Sequence, residues 1–199
     1  ACHAGSLELV NLIMNHPSFE IDQLENGECS LIHVAISGGN PAVVDAILKK
    51  FGRRSWCFEF AEDFGTPLHW ACYHDSLEIV NLLLPYFGQD TATDLGSPAI
   101  FAIENGNLPI VREILSNTDF EENLLLETAC VEGNREILDF IVKFLDVSLP
   151  TYTNGDDENA LHWAVNGGNL EFVEYLLNDI KVDPSFTSCT LDTPLHLAT

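Results

Sequence analysis

The chain is 199 residues long, 46% hydrophobic and 20% charged, and its 31 acidic against 8 basic residues give a formal net charge of −23. A surface this negative repels phosphate backbones, which are held through counterions released from Lys and Arg, so nucleic acid is excluded as a partner. No stretch approaches the roughly 18 consecutive apolar residues of a membrane span, no signal-peptide pattern opens the chain, and no Cys-x-x-Cys pair links Cys2, Cys29, Cys57, Cys72, Cys130 and Cys189, which points to a reducing, intracellular setting.

A period runs through the chain. Ala1, Ala35, Ala71, Ala102, Ala129, Ala164 and Ala198 mark it, at spacings of 34, 36, 31, 27, 35 and 34 residues, the range of stacked repeats rather than of one globular core. The first segment, residues 1–23, is partial: Gly5 and Ser6 close one helix and open a second, whose apolar stripe is Leu9, Val10, Ile13 and Met14. In residues 24–60 the marker Ala35 follows His33 and precedes Gly39 and Asn40. The connection Lys49 to Gly65 holds half of the chain's bases, with Trp56, Phe58 and Phe60. It reads either as an interface rich in Arg and Trp or, with more weight, as packed-down aromatics beside solvated Arg53 and Arg54.

Residues 61–91 open on Thr66-Pro67, a cap residue before a proline whose missing N–H is harmless in the first helical turn. Asp75 stands where the other repeats have glycine, and Ser76 introduces a helix with the stripe Ile79, Val80, Leu83 and Leu84. Residues 92–118 carry Ser97-Pro98, Gly106 and Asn107, with Ile100 in the histidine slot. In residues 119–153 Glu127 occupies that slot and Gly133-Asn134 follow. The short spacing leaves only Ser116 to Asn123 between helices, too little for a hairpin. Residues 154–187 begin with Asn154-Gly155-Asp156-Asp157-Glu158, a turn signal without the alternation of a calcium loop, and continue through His162, Gly168, Asn169 and the stripe Phe172, Val173, Leu176, Leu177. Residues 188–199 are again partial, ending in Thr193-Pro194-Leu195-His196-Leu197-Ala198. The glycines suit left-handed helix ends, and the Ser and Asn that follow suit helix N-caps.

Thr66-Pro67-Leu68-His69-Trp70-Ala71 and Thr193-Pro194-Leu195-His196-Leu197-Ala198, with Leu7-Glu8-Leu9-Val10 and Leu77-Glu78-Ile79-Val80 downstream, resemble the ankyrin repeat over essentially the whole chain. The resemblance implies an all-α solenoid of helix-turn-helix units with short hairpin-like finger loops, here a single domain cut mid-repeat at both ends and part of a longer chain. It also implies that His33, His69, His162 and His196 bond backbone between neighbouring loops. Cys2, Cys72 and Cys130 share the slot after the marker and read as core residues.

Charge is uneven: residues 1–54 hold six acids and four bases, whereas residues 55–199 hold 25 acids and four bases. Eight residues before the marker stand Asp63, Asp94, Glu121 and Asp156 in four consecutive repeats. The resemblance places that slot on the finger side that touches partners, and adds the marker offsets occupied by Tyr73, His74, Glu104 and Glu132. Two readings stay open: a carboxylate ladder that binds, or acids favoured near helix N-termini by the macrodipole at about 0.3–1 kcal/mol each.

No phosphate loop, nucleophile elbow or convergent metal ligands are present, so no enzyme, cofactor or metal is expected. The expected function is a non-catalytic, cytoplasmic scaffold that binds a basic protein on its concave and finger surface, without membrane insertion in this segment. The alternatives are a structural segment of a long array in a cytoskeletal assembly or a channel's cytoplasmic part, and a substrate-recruiting segment of a larger enzyme.

Overall fold

The computed structural model describes residues 5–19, 30–55, 65–87, 96–118 and 120–198. The regular elements among them are all helical, and they come in pairs: α1 (Leu7–Met14); α2 (Leu31–Ser37) with α3 (Pro41–Phe51); α4 (Pro67–Tyr73) with α5 (Leu77–Phe87); α6 (Ala99–Glu104) with α7 (Leu108–Asn117); α8 (Glu122–Glu132) with α9 (Arg135–Leu145); α10 (Ala160–Gly167) with α11 (Leu170–Tyr175); and α12 (Pro194–Leu197). Tight turns at Gly52–Ser55 and Leu149–Thr151 and a π-helical turn at Leu176–Ile180 follow α3, α9 and α11.

Contacts gather these helices into two compact units, residues Ala1–Ala102 with Pro109–Phe120, and Ile103–Leu108 with Glu121–Thr199. In the first, α2 packs on α3 and α4, α4 on α5, and α3 on both α1 and α5. In the second, α8 packs on α9 and α10, and α10 on α11 and α12. Within the units, α2, α3, α8 and α10 thus pack on a neighbouring repeat as well as on their own or an adjoining partner, as stacked repeats require. The markers Ala35, Ala71, Ala102, Ala129 and Ala164 are wholly buried, as are Cys72 and Cys130 beside two of them. Cys2, Cys29 and Cys57 lie outside the described residues, and Cys189 is exposed.

Helix ends follow the residues that build them. Gly5, Gly39, Gly106, Gly133 and Gly168 all take positive φ, and Asp75 adopts the same left-handed conformation at φ 58°, which Asp tolerates better than most side chains. Asn40, Asn134 and Asn169 accept at their side-chain oxygens from the N–H groups of Ala42, Ile137 and Phe172, at 3.0, 3.1 and 3.1 Å. Ser6 makes no such side-chain bond, and α1 starts on its backbone carbonyl alone. The Asn40 amide also donates to the Gly5 carbonyl one repeat earlier, at 2.6 Å.

The recurring histidine joins one repeat to the next. His69 Nε2 donates to the Gly96 carbonyl at 2.8 Å, while its Nδ1 accepts from the Thr66 N–H at 3.1 Å. His162 repeats this with the Asp192 carbonyl at 3.1 Å and the Asn159 N–H at 3.2 Å. In both cases the acceptor is the residue just before the following repeat's helix cap, Ser97 or Thr193. His33 lies beside the equivalent carbonyl, that of Gly65, with Nε2 short of ideal geometry and Nδ1 2.6 Å from Ser30 Oγ.

Two regions differ from the sequence reading. In α1 only Val10 and Met14 are buried, and Leu9 and Ile13 of the expected stripe are exposed, because this helix packs on α3 along one side. In the fifth repeat α7 runs to Asn117 and α8 begins at Glu122, so the connection is shorter than the segment Ser116 to Asn123. First helix α8 has 11 residues where α4 has 7, having taken up chain that elsewhere forms the entering loop.

Gly167 needs no positive φ, but a Cβ there would lie 1.8 Å from the Val131 carbonyl oxygen. Gly167→Ala is expected to destabilise by at least about 2 kcal/mol, whereas Gly155→Ala, with nothing within 4 Å, should stay within about 0.5 kcal/mol of the parent in urea unfolding.

Burial lowers the His33 pKa from 6.5 to about 4. The unfolded chain therefore binds the proton first on acidification. The contribution of neutral His33 is complete above 6.5 and is lost as pH falls toward about 4. Relative to His33→Gln, the parent should lose about 2 kcal/mol for each 1.5 units of acidification below 6.5, measured as the difference between two stability–pH curves.

Candidate functional site

The first compact unit carries a cluster of rings built by three first helices. On α4, Trp70 and Tyr73 are three residues apart and so share a face, with ring centroids 5.6 Å apart and planes 22° from parallel. His74, just past the helix end, meets both rings edge-on, at 5.2 Å from Trp70 and 5.4 Å from Tyr73. Phe101 of α6 closes the cluster with its ring perpendicular to Tyr73 at 6.2 Å and to His69 at 5.9 Å. From α2, Ser37 Oγ accepts from Trp70 Nε1 at 2.8 Å and itself donates to the His33 carbonyl at 3.0 Å. Trp70 is half-buried, whereas Tyr73 is 57% exposed. Burial lowers the His74 pKa, which keeps the imidazole neutral at physiological pH.

The second unit gathers carboxylates. Glu104, two residues after Ala102, and Glu132, three after Ala129, lie close enough that burial and then the Glu132 charge raise the Glu104 pKa. On α8, Glu127 is raised by burial, then by Glu158 and Asp156. Asp156 sits in a hairpin in which Asn154 Oδ1 accepts from the N–H groups of Asp156 and Glu158 at 3.0 and 2.9 Å. Its carbonyl accepts from the Cys189 N–H of the next loop at 2.8 Å. Trp163, in the slot of Trp70, is buried and donates to Glu158 Oε2 at 3.3 Å.

The structure thus brings Tyr73 together with His74, Glu104 with Glu132, and Asp156 with Glu127. Glu121 is exposed at the N-cap of α8 without a side-chain cap bond; lengthening of that helix removes it from a finger loop. Asp63 and Asp94 fall outside the described residues, as do Trp56, Phe58 and Phe60. The sequence reading missed Trp70, Phe101 and Glu127. Trp70, Phe101 and Trp163 all directly precede a marker alanine, and that recurrence was the available signal.

The basic residues have a place of their own. Lys49 and Lys50 end α3, Arg53 and Arg54 form the turn after it, Arg112 lies on α7, Arg135 and Lys143 on α9, and Lys181 ends the turn after α11. All eight bases of the chain therefore sit on second helices or immediately after them, and none on a first helix. Several satisfy helix C-termini: Lys50 donates to the Met14 carbonyl and, at 3.1 Å, to Asn15 Oδ1. Arg53, expected to be solvated, donates to the Tyr86 carbonyl at 2.7 Å and lies over the Phe87 ring, a placement the macrodipole favours.

Among the described residues no group of three or more His, Cys, Asp or Glu is arranged to hold a metal ion. Burial raises the thiol pKa values of Cys72 and Cys130, so they stay protonated and unreactive. No described helix is long and apolar enough to cross a membrane.

A family model described as ankyrin repeats (3 copies) matches residues 1–94 and 126–199. A Notch-regulated ankyrin repeat-containing protein of Xenopus laevis is 33% identical over 95 residues, covering 42% of this chain and 81% of that protein. Among solved structures, the human ASB11 ankyrin repeat domain matches with TM-score 0.74 at 20% identity, over 100% of this chain and 90% of that one. The ankyrin repeat domain of Bcl-3, a member of the IkappaB protein family, matches with TM-score 0.66 at 20% identity, over 100% and 92%. At these identities the structural likeness shows the fold alone.

Glu127 occupies the slot from which His69 and His162 reach the next repeat, and the corresponding carbonyl is that of Glu158, just before the cap Asn159. A carboxylate cannot donate to it. Glu127→His supplies the missing donor and removes a like charge, so it should raise stability by about 0.5–1.5 kcal/mol near neutral pH, read from the urea midpoint. The gain should shrink on acidification, because protonation relieves the parent as pH falls through the raised Glu127 pKa.

Proposed function

Because the chain belongs to the ankyrin-repeat family, whose domains are generally protein–protein interaction modules, we propose that it is a non-catalytic scaffold whose first helices and entering loops receive a basic segment of a protein partner. The observation that carries this reading is the segregation of charge: every Lys and Arg is on or just after a second helix. The first helices and their entering loops carry Glu104, Glu121, Glu127, Glu132, Asp156 and Glu158 among other acids. Acids occur on both kinds of helix, as Glu136, Glu171 and Glu174 show, but the bases keep off the first helices, which leaves those with the single sign that steering of a cationic partner requires. Tyr73 and its neighbouring rings add the aromatic surface typical of interface anchors. The burial of Cys72 and Cys130 as small core residues suits a reducing cytoplasmic setting.

The test is a matched pair of charge reversals against a lysine-rich peptide. Glu104→Lys with Glu132→Lys and Asp156→Lys should weaken binding by about tenfold at low salt and flatten its salt dependence. Glu136→Lys with Glu171→Lys and Glu174→Lys, on second helices α9 and α11, preserves the net charge change and should cost less than about twofold. Equal losses from both sets would contradict a sided binding surface.

A further inference from the structure

We infer that the ring cluster of Trp70, Tyr73, His74 and Phe101 is the subsite for an arginine side chain of the partner, with the guanidinium stacked on the exposed ring of Tyr73. This rests on the basic-partner reading and names the side chain that the partner must bring.

Tyr73 combines exposure with confinement. It is 57% exposed, yet Trp70 lies nearly parallel to it at 5.6 Å, and His74 and Phe101 meet it at 86° and 88°. A ring fixed by three neighbours has little rotamer freedom left to lose on binding, so a ligand meets a preorganised π surface. The negative face of such a ring attracts cations. The local charge agrees, since Asp75 follows two residues later and no Lys or Arg occurs on a first helix.

Guanidinium suits the site better than ammonium. It is planar, weakly hydrated and stacks flat on aromatic rings, whereas lysine presents a compact, strongly hydrated charge. The chain already uses this pairing on its second helices: the Arg135 guanidinium lies 3.9 Å from the centroid of the Tyr175 ring, and that of Arg53 lies 5.5 Å from Phe87. The first-helix side supplies the ring but, by sequence, no arginine.

The experiment measures affinity calorimetrically for three peptides of equal length, alternating glycine with arginine, lysine or citrulline. They are tested against the parent chain, Tyr73→Leu and Tyr73→Phe, with thermal unfolding confirming that each variant is folded. The parent should prefer the arginine peptide over the lysine peptide by about fivefold, and Tyr73→Leu should abolish that preference while leaving lysine-peptide affinity within about twofold. Tyr73→Phe keeps a π face and should retain the preference, and the citrulline peptide, planar but uncharged, should bind weakest. Equal affinity for arginine and lysine, or equal loss of both in Tyr73→Leu, overturns the stacking subsite while the charge reading stands. Citrulline binding as tightly as arginine overturns the cationic character of the subsite. Absence of binding by both cationic peptides overturns the basic-partner reading and the subsite with it.

Discussion

The structure depends on one bond made between repeats: an imidazole Nε2–H donated to the carbonyl just ahead of the next repeat's helix cap. His69 to Gly96 and His162 to Asp192 are its two well-formed examples, within the first and second compact units respectively. Hydrophobic burial favours stacking but is non-directional. Where it forms, a hydrogen bond with a fixed donor and acceptor sets the advance from one first helix to the next. The same ring ties its own repeat down through Nδ1, which accepts from the N–H of the cap residue. A single side chain thus satisfies a buried helix start in one module and a part-buried loop carbonyl in the next.

Fixed register gives the surface its sidedness. Within a unit, residues near the ends of successive first helices become spatial neighbours, as Glu104 and Glu132 are. Burial first, and then neighbouring carboxylates, raise the pKa values of Glu104 and Glu127. The bases are held apart from this field, where Lys50 and Arg53 complete the carbonyl ends of α1 and α5.

Much of this was legible in the residues. The marker spacing, the left-handed glycines, the Asn caps and the histidine slot are local signals, each tied to a backbone conformation or a hydrogen bond within a few residues, and local chemistry survives tertiary context. What was not legible depends on neighbours. The stripe of α1 is apolar on two sides, yet only the side facing α3 is buried. Glu121 looked like a loop residue by its offset, but α8 extends upstream into a connection too short for a hairpin and makes it a cap. Arg53 looked solvated until the C-terminus of α5 came beside it. The ring cluster joins residues from α2, α4 and α6, which only the stacked arrangement brings together.

The most direct test of the inter-repeat bond is the protonation state of the ring nitrogens, read from long-range proton–nitrogen correlations of His69 and His162 by NMR near neutral pH. Both should carry the proton on Nε2 and show slow exchange of that proton with water, as the network in which each Nδ1 accepts from a backbone N–H requires. An Nδ1-protonated tautomer, or rapid exchange of the Nε2 proton at both rings, would contradict an imidazole bridge between repeats.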